Sequence, residues 1–187
     1  LKHHAHNFTG AILMGSADAN PLTKVLLPIN KILAKIAPRQ PNTVLANTMN
    51  KILNSQLKDR TASSKFAWLS ENTANIEAYE ADPKTGFDFT NNGFMTLFTL
   101  MDTGLNKGWA TTIAKNFPML FISGEDDPIG NMGRGIRKVV GRLHKQKFNR
   151  VDIQLYPTMR HEVLHETDHQ TVYQDILAWI DNTTPDA

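Results

Sequence analysis

The 187-residue sequence contains no cysteine. That excludes disulfide staples, thiolate metal sites and a cysteine nucleophile, and it fits a reducing compartment. An excess of one charge is also missing. Twenty basic side chains stand against 18 acidic ones, for a formal net charge of +2, which is too balanced for a surface that holds nucleic acid or an acidic membrane. No apolar run reaches the roughly 18 residues of a membrane span. No secretory signal is visible, although the sequence opens on Leu1 rather than Met, so a native start with any targeting segment is expected upstream. The expected compartment is cytoplasmic, and no cofactor or resident metal is expected.

What remains is an ordinary soluble, globular composition, with 41% apolar and 20% charged residues. Three short apolar runs read as strands of a buried parallel sheet. They are Gly10–Gly15, Pro118–Gly124 and Val151–Tyr156, the last alternating as a strand nearer the sheet edge does. Met132, Ile136, Val139, Val140 and Leu143 form one stripe at helical spacing over 130–146, with Arg134, Arg137, Lys138 and Arg142 on the other face. Val172, Ile176, Trp179 and Ile180 repeat the pattern, with Thr167 or Asp168 as cap. Residues 117–187 thus read as a βαβα unit.

Residues 18–116 carry helical periodicity without strand signals. Leu22, Val25, Leu26, Ile29, Leu33 and Ile36 make one amphipathic helix ending before Pro38, and Leu45, Met49, Ile52, Leu53 and Leu57 make a second. A third lies near Asn72–Ala81 with Ile76 and Tyr79 inward, and a fourth follows Thr90 with Phe94, Leu97, Phe98 and Met101. Residues 82–86 form a turn. The predicted organisation is a core strand in 1–17, a helical insertion over 18–116 and the βαβα core over 117–187.

Ligands of parallel sheets bind beyond the carboxyl ends of the strands. Two such positions hold chemistry: Gly124-Glu-Asp126-Asp127-Pro-Ile-Gly130, and Pro157-Thr-Met-Arg160-His161-Glu162-Val-Leu-His165-Glu166. Neighbouring strands lie about 4.8 Å apart, so these loops can set a carboxylate against an imidazole. That pairing makes histidine a general base, because the acid fixes the tautomer and stabilises the imidazolium. His161-Glu162-Val-Leu-His165 also matches H-E-x-x-H, in which two histidines on one helix face bind zinc and the glutamate acts as base, with His169 or Asp168 as further ligand. Against zinc stand the closeness of the preceding strand and the lack of the later Gly and His of the extended motif. His3, His4 and His6 read as a polar terminus.

The segment Phe117-Pro-Met-Leu-Phe-Ile-Ser-Gly-Glu-Asp-Asp-Pro-Ile-Gly130 resembles the acid loop of lysophospholipase-like serine hydrolases. These are α/β-hydrolases grouped with monoacylglycerol lipases and serine aminopeptidases. Arg160-His-Glu-Val-Leu-His-Glu-Thr167 is similar to their catalytic-histidine segment, which accounts for the zinc-like pattern without a metal. Phe66–Ser70 and Asp82–Thr90 resemble parts of their helical cap, and Gly10–Ser16 the strand before it. The resemblance implies an α/β fold: the C-terminal part of an α/β-hydrolase parallel sheet with a helical cap insertion. It implies Asp127 as triad acid and His161 as base, with Asp126 and His165 as runners-up.

The family's G-x-S-x-G nucleophile elbow has no counterpart here. Ser16, Ser55, Ser63, Ser64, Ser70 and Ser123 all lack the flanking glycines. The resemblance therefore implies a serine ester hydrolase that is catalytically incomplete in this chain. Its substrate would be a small acyl ester or lipid, with Leu26, Ile29, Leu33, Phe94 and Phe98 offered as acyl-pocket lining. Its first strand would have an unpaired edge, so the piece is expected to depend on an N-terminal portion of the same fold or on self-association. A zinc hydrolase and a non-catalytic module that keeps the fold are the alternatives.

Overall fold

The computed structural model describes residues 1–18, 21–58, 64–104 and 108–184, with backbone alone for residues 21 and 22. Three parallel strands, β1 (Ala11–Met14), β2 (Met119–Gly124) and β3 (Val151–Tyr156), form a sheet in the order β1-β2-β3. β2 is central and every residue in it is buried. Its period-2 alternation splits the core: Met119 and Phe121 face one apolar cluster, Leu120 and Ile122 the other. The first cluster is closed by helix α5 (Arg134–Lys145), through Ile136, Val139, Val140 and Leu143. The second is closed by helix α6 (His169–Thr183), through Val172, Ile176 and Trp179. β3 alternates because only one of its faces is covered throughout. Among the described residues, β1 has no strand on its outer side.

Between β1 and β2 lie α1 (Pro21–Ile36), α2 (Thr43–Asn54), α3 (Thr73–Ala81) and α4 (Asn91–Thr103). The starts of α2, α3 and α4 are fixed by side-chain caps that satisfy first-turn N–H groups. Asn42 accepts from the Leu45 amide, Asn72 from Ala74 and Thr90 from Gly93. The turn at 82–86 is closed by Asp82, which accepts from the Lys84 amide at 2.8 Å. No helix among the described residues is long and apolar enough to cross a membrane.

Two sequence expectations change. α5 begins at Arg134 rather than 130, because Asn131, Met132 and Gly133 all have positive φ, at 53°, 54° and 72°. A left-handed stretch cannot extend a right-handed helix. Most of the apolar stripe of α1 also points outward, with the half-buried Leu26 as the exception. Thr23 and Asn30 are buried, while Val25, Ile29, Leu33 and Ile36 are exposed; the side chain of Leu22 lies outside the described residues. The stripe predicts the helix correctly, but α1 turns its more polar face inward.

Candidate active site

β2 and β3 run in register up to Gly124 opposite Tyr156, so the loops that follow leave the sheet side by side. The chain is pinched there. The Glu125 amide donates to the Tyr156 carbonyl at 2.8 Å and the Asp126 amide to Met159 at 3.0 Å. A Cβ on Gly124 would stand 2.0 Å from the Met159 carbonyl oxygen, so no larger residue fits this approach.

The pinch delivers Asp127 to His161. The His161 Nδ1 lies 3.1 Å from Asp127 Oδ2, and the carboxylate is 0% exposed. Asp127 also accepts from the Ile129 amide at 2.8 Å and the Ser123 hydroxyl at 3.2 Å. A carboxylate accepts, so Nδ1 carries a proton, and in the neutral imidazole Nε2 is the acceptor facing away from the acid. The half-buried ring is bounded by Trp68, with centroids 5.4 Å apart and planes at 48°, and by Gly15. A Cβ at Gly15 would meet His161 Cε1 at 2.9 Å, and its φ of +54° already favours glycine. The end of β1 therefore supplies a third wall of the site. The glycine that closes the first apolar run was its only signal in the sequence.

The runners-up fall elsewhere. Asp126 is bridged by Lys58 Nζ at 2.7 Å. His165 is exposed, 3.6 Å from Glu162 Oε2, and Glu162 also accepts from Asn75 at 2.8 Å. The H-E-x-x-H segment holds a single 3-10 turn over Val163–His165. It lacks the α-helical turn that sets both histidines on one face, and no group of three ligating side chains gathers among the described residues. The serine hydroxyls are engaged: Ser16 with Met14 O, Ser55 with Ile52 O, Ser64 with Glu80, Ser70 with Glu166 and Ser123 with Asp127. Ser63 lies outside the described residues.

Beside the acid loop opens a cavity of about 480 Å³, lined by Leu26, Met49, Ile52, Leu53, Phe98 and Met101 from the insertion and by Ile129 and Arg134 from the core. Of the five lining residues offered from sequence, Leu26 and Phe98 take that place. Phe94 is buried in an aromatic row between Phe89 and Phe98. Ile29 and Leu33 sit on the outward face of α1.

Sequence reasoning missed Glu166, Arg160, Ser70 and Trp68 as a connected group. Glu166 accepts from Ser70 across 96 residues, and no local pattern signals a contact of that span.

A family model described as serine aminopeptidase, S33, matches residues 1–168. No curated protein matches the chain. Among solved structures, the fold is similar to a thermostable carboxyl esterase from Bacillus coagulans, with a TM-score of 0.86 at 22% identity, covering 97% of this chain and 59% of that one. A monoglyceride lipase from Saccharomyces cerevisiae matches with a TM-score of 0.64 at 22% identity, over 98% of this chain and 61% of that one. A monoacylglycerol lipase from Paleococcus ferrophilus matches with a TM-score of 0.68 at 17% identity, over 97% and 62%. The architecture is that of the α/β-hydrolases, and the chain spans about three fifths of the length of these structures.

Proposed function

The chain belongs to the serine aminopeptidase S33 family, and from that membership we propose that it carries the acid and base of a serine ester hydrolase, Asp127 and His161. The observation behind this reading is the buried Asp127 carboxylate at 3.1 Å from His161 Nδ1. In the proposed cycle, His161 Nε2 takes the proton of a serine hydroxyl as its oxygen attacks the ester carbonyl. The same nitrogen returns the proton to the departing alkoxide, and a water repeats the sequence on the acyl-enzyme. Asp127 holds the tautomer and stabilises the imidazolium without taking the proton.

In this reading the nucleophile and the oxyanion hole come from a portion of the fold outside these 187 residues, and that portion also covers the outer edge of β1. The lack of a G-x-S-x-G elbow among these residues supports this view. The substrate is a carboxylic ester of the monoacylglycerol or lysophospholipid kind, with helices 18–116 acting as a cap. The apolar cavity under that cap is of a size for an acyl chain. In the complete enzyme, His161→Ala is expected to lower kcat/KM on a short acyl ester by about 10²–10⁴-fold. Unchanged turnover would overturn the assignment.

A further inference from the structure

Glu166 is 2% exposed and salt-bridges no cation among the described residues. Its carboxylate accepts from four donor groups: the Ser70 hydroxyl at 2.7 Å, the Arg160 amide at 2.7 Å, the Glu71 amide at 3.0 Å and the Asn72 amide at 3.3 Å. Three of these belong to the insertion and one to the residue before His161. Arg160 returns the tie, its guanidinium donating to the carbonyls of Ala67 at 2.8 Å and Ser70 at 3.0 Å. The Glu162 amide donates to Leu69 O at 2.8 Å. The residues on both sides of His161 are thus bonded to segment 67–72, and Trp68 on that segment lies against the His161 ring. Trp68 is in turn held to α2 by Asn50 and Asn54, at 2.8 and 3.0 Å.

We infer that Glu166 is a positioning residue: it locks the loop bearing His161 to the insertion and, through Trp68, fixes the imidazole against Asp127. The inference rests on the catalytic reading of His161 given above. Every partner of Glu166 is a donor, so the site calls for an acceptor-only group with two oxygens. A glutamine would turn one of its N–H donors toward other donors. An aspartate keeps the charge but is one methylene short.

The test uses the complete enzyme with p-nitrophenyl butyrate. Glu166→Gln is expected to lower kcat by about 10²-fold, the effect of a misplaced catalytic group, with KM within about threefold of the parent. Glu166→Asp restores part of kcat. The NMR resonance of the His161 Cε1 proton, shifted by the adjacent Trp68 ring, moves in Glu166→Gln. It stays in place in Val139→Ala, a core variant in the opposite apolar cluster, away from the His161 loop. A folded Glu166→Gln enzyme with parental kcat and an unmoved resonance overturns the inference, as does an equal movement in Val139→Ala. Should Glu166→Gln fail to fold, Ser70→Ala decides, because it removes one donor and leaves three. Its expected loss in kcat is about tenfold at most, the worth of one hydrogen bond, with the resonance moving the same way; no change in either overturns the inference. His161→Ala separates the two claims. If it stays active, the catalytic pair is wrong whatever Glu166→Gln does. If it is inactive while Glu166→Gln is fully active, only the role of Glu166 falls.

Discussion

Helices α1 and α5 are both amphipathic, and they turn opposite faces to the protein. α5 seats Ile136, Val139, Val140 and Leu143 under the sheet and leaves Arg137 and Lys138 to solvent. α1 buries Thr23 and Asn30 and leaves Val25, Ile29, Ile32 and Ile36 outside. The difference follows from what each helix packs on. A sheet face is apolar and continuous, so only an apolar stripe can cover it. α1 packs on α4, where Asn30 returns its side-chain amide to its own Leu26 carbonyl at 2.9 Å. The same contrast separates the two regions. Core elements are held by buried apolar clusters, which Trp109, Ala110 and Ile113 at the end of the insertion join, whereas Lys58 and segment 67–72 meet the loops after β2 and β3 through ion pairs and hydrogen bonds, such as those of Glu166 and Arg160.

Matched substitutions sharpen this contrast most strongly. Ile136→Ala removes a side chain that is 0% exposed and is expected to cost about 2–5 kcal/mol. Ile36→Ala removes the same atoms from a position 76% exposed and is expected to stay within about 0.5 kcal/mol. Urea denaturation midpoints measure both. Comparable losses at the two sites would mean that the outward face of α1 is covered in solution, and the contrast would break.

A smaller effect belongs to the core. Tyr156 is buried at the end of β3 and donates to Asp175 of α6 at 3.0 Å. Burial first, and then this carboxylate, push its phenol above the usual value of 10.0. A folded-state value raised in this way stabilises the protein below pH 10.0 and loses that contribution as pH rises further. Tyr156→Phe is expected to cost about 1 kcal/mol at neutral pH, and its stability curve should converge on the parent's at alkaline pH. Parallel curves would show that the phenol does not couple β3 to α6.

What could be read in advance follows the same division. β2 and the α5 stripe were legible because a buried strand and a sheet-covering helix leave unbroken patterns. The approach of Asp127 to His161 was legible because both follow neighbouring parallel strands. The inward face of α1 was not, because apolar periodicity gives a helix without saying which face another element will cover. The start of α5 was missed because Asn131, Met132 and Gly133 lie in the left-handed region, and only two of the three are residues that favour it. The Glu166 lock joins residues far apart in sequence through backbone amides, and amides carry no residue-specific signal.

The smallest expected effect concerns the ion pair between Lys58 and Asp126, at 2.7 Å. Hydrogen bonding and the charge of Asp126 raise the lysine above its ordinary value of 10.5. The pair therefore stabilises below pH 10.5 and fades as pH rises through that range. The lysine side chain is 82% exposed, so water and salt screen most of the attraction, and such pairs contribute little to stability. Lys58→Met is expected to leave the denaturation midpoint unchanged at physiological salt, with a slight decrease emerging only at low ionic strength. The insertion would then be joined to the core by its buried contacts, the bonds of Glu166 and Arg160 and the packing of Trp109, Ala110 and Ile113. A loss at physiological salt as large as that of Ile136→Ala would instead assign the joining to exposed charge.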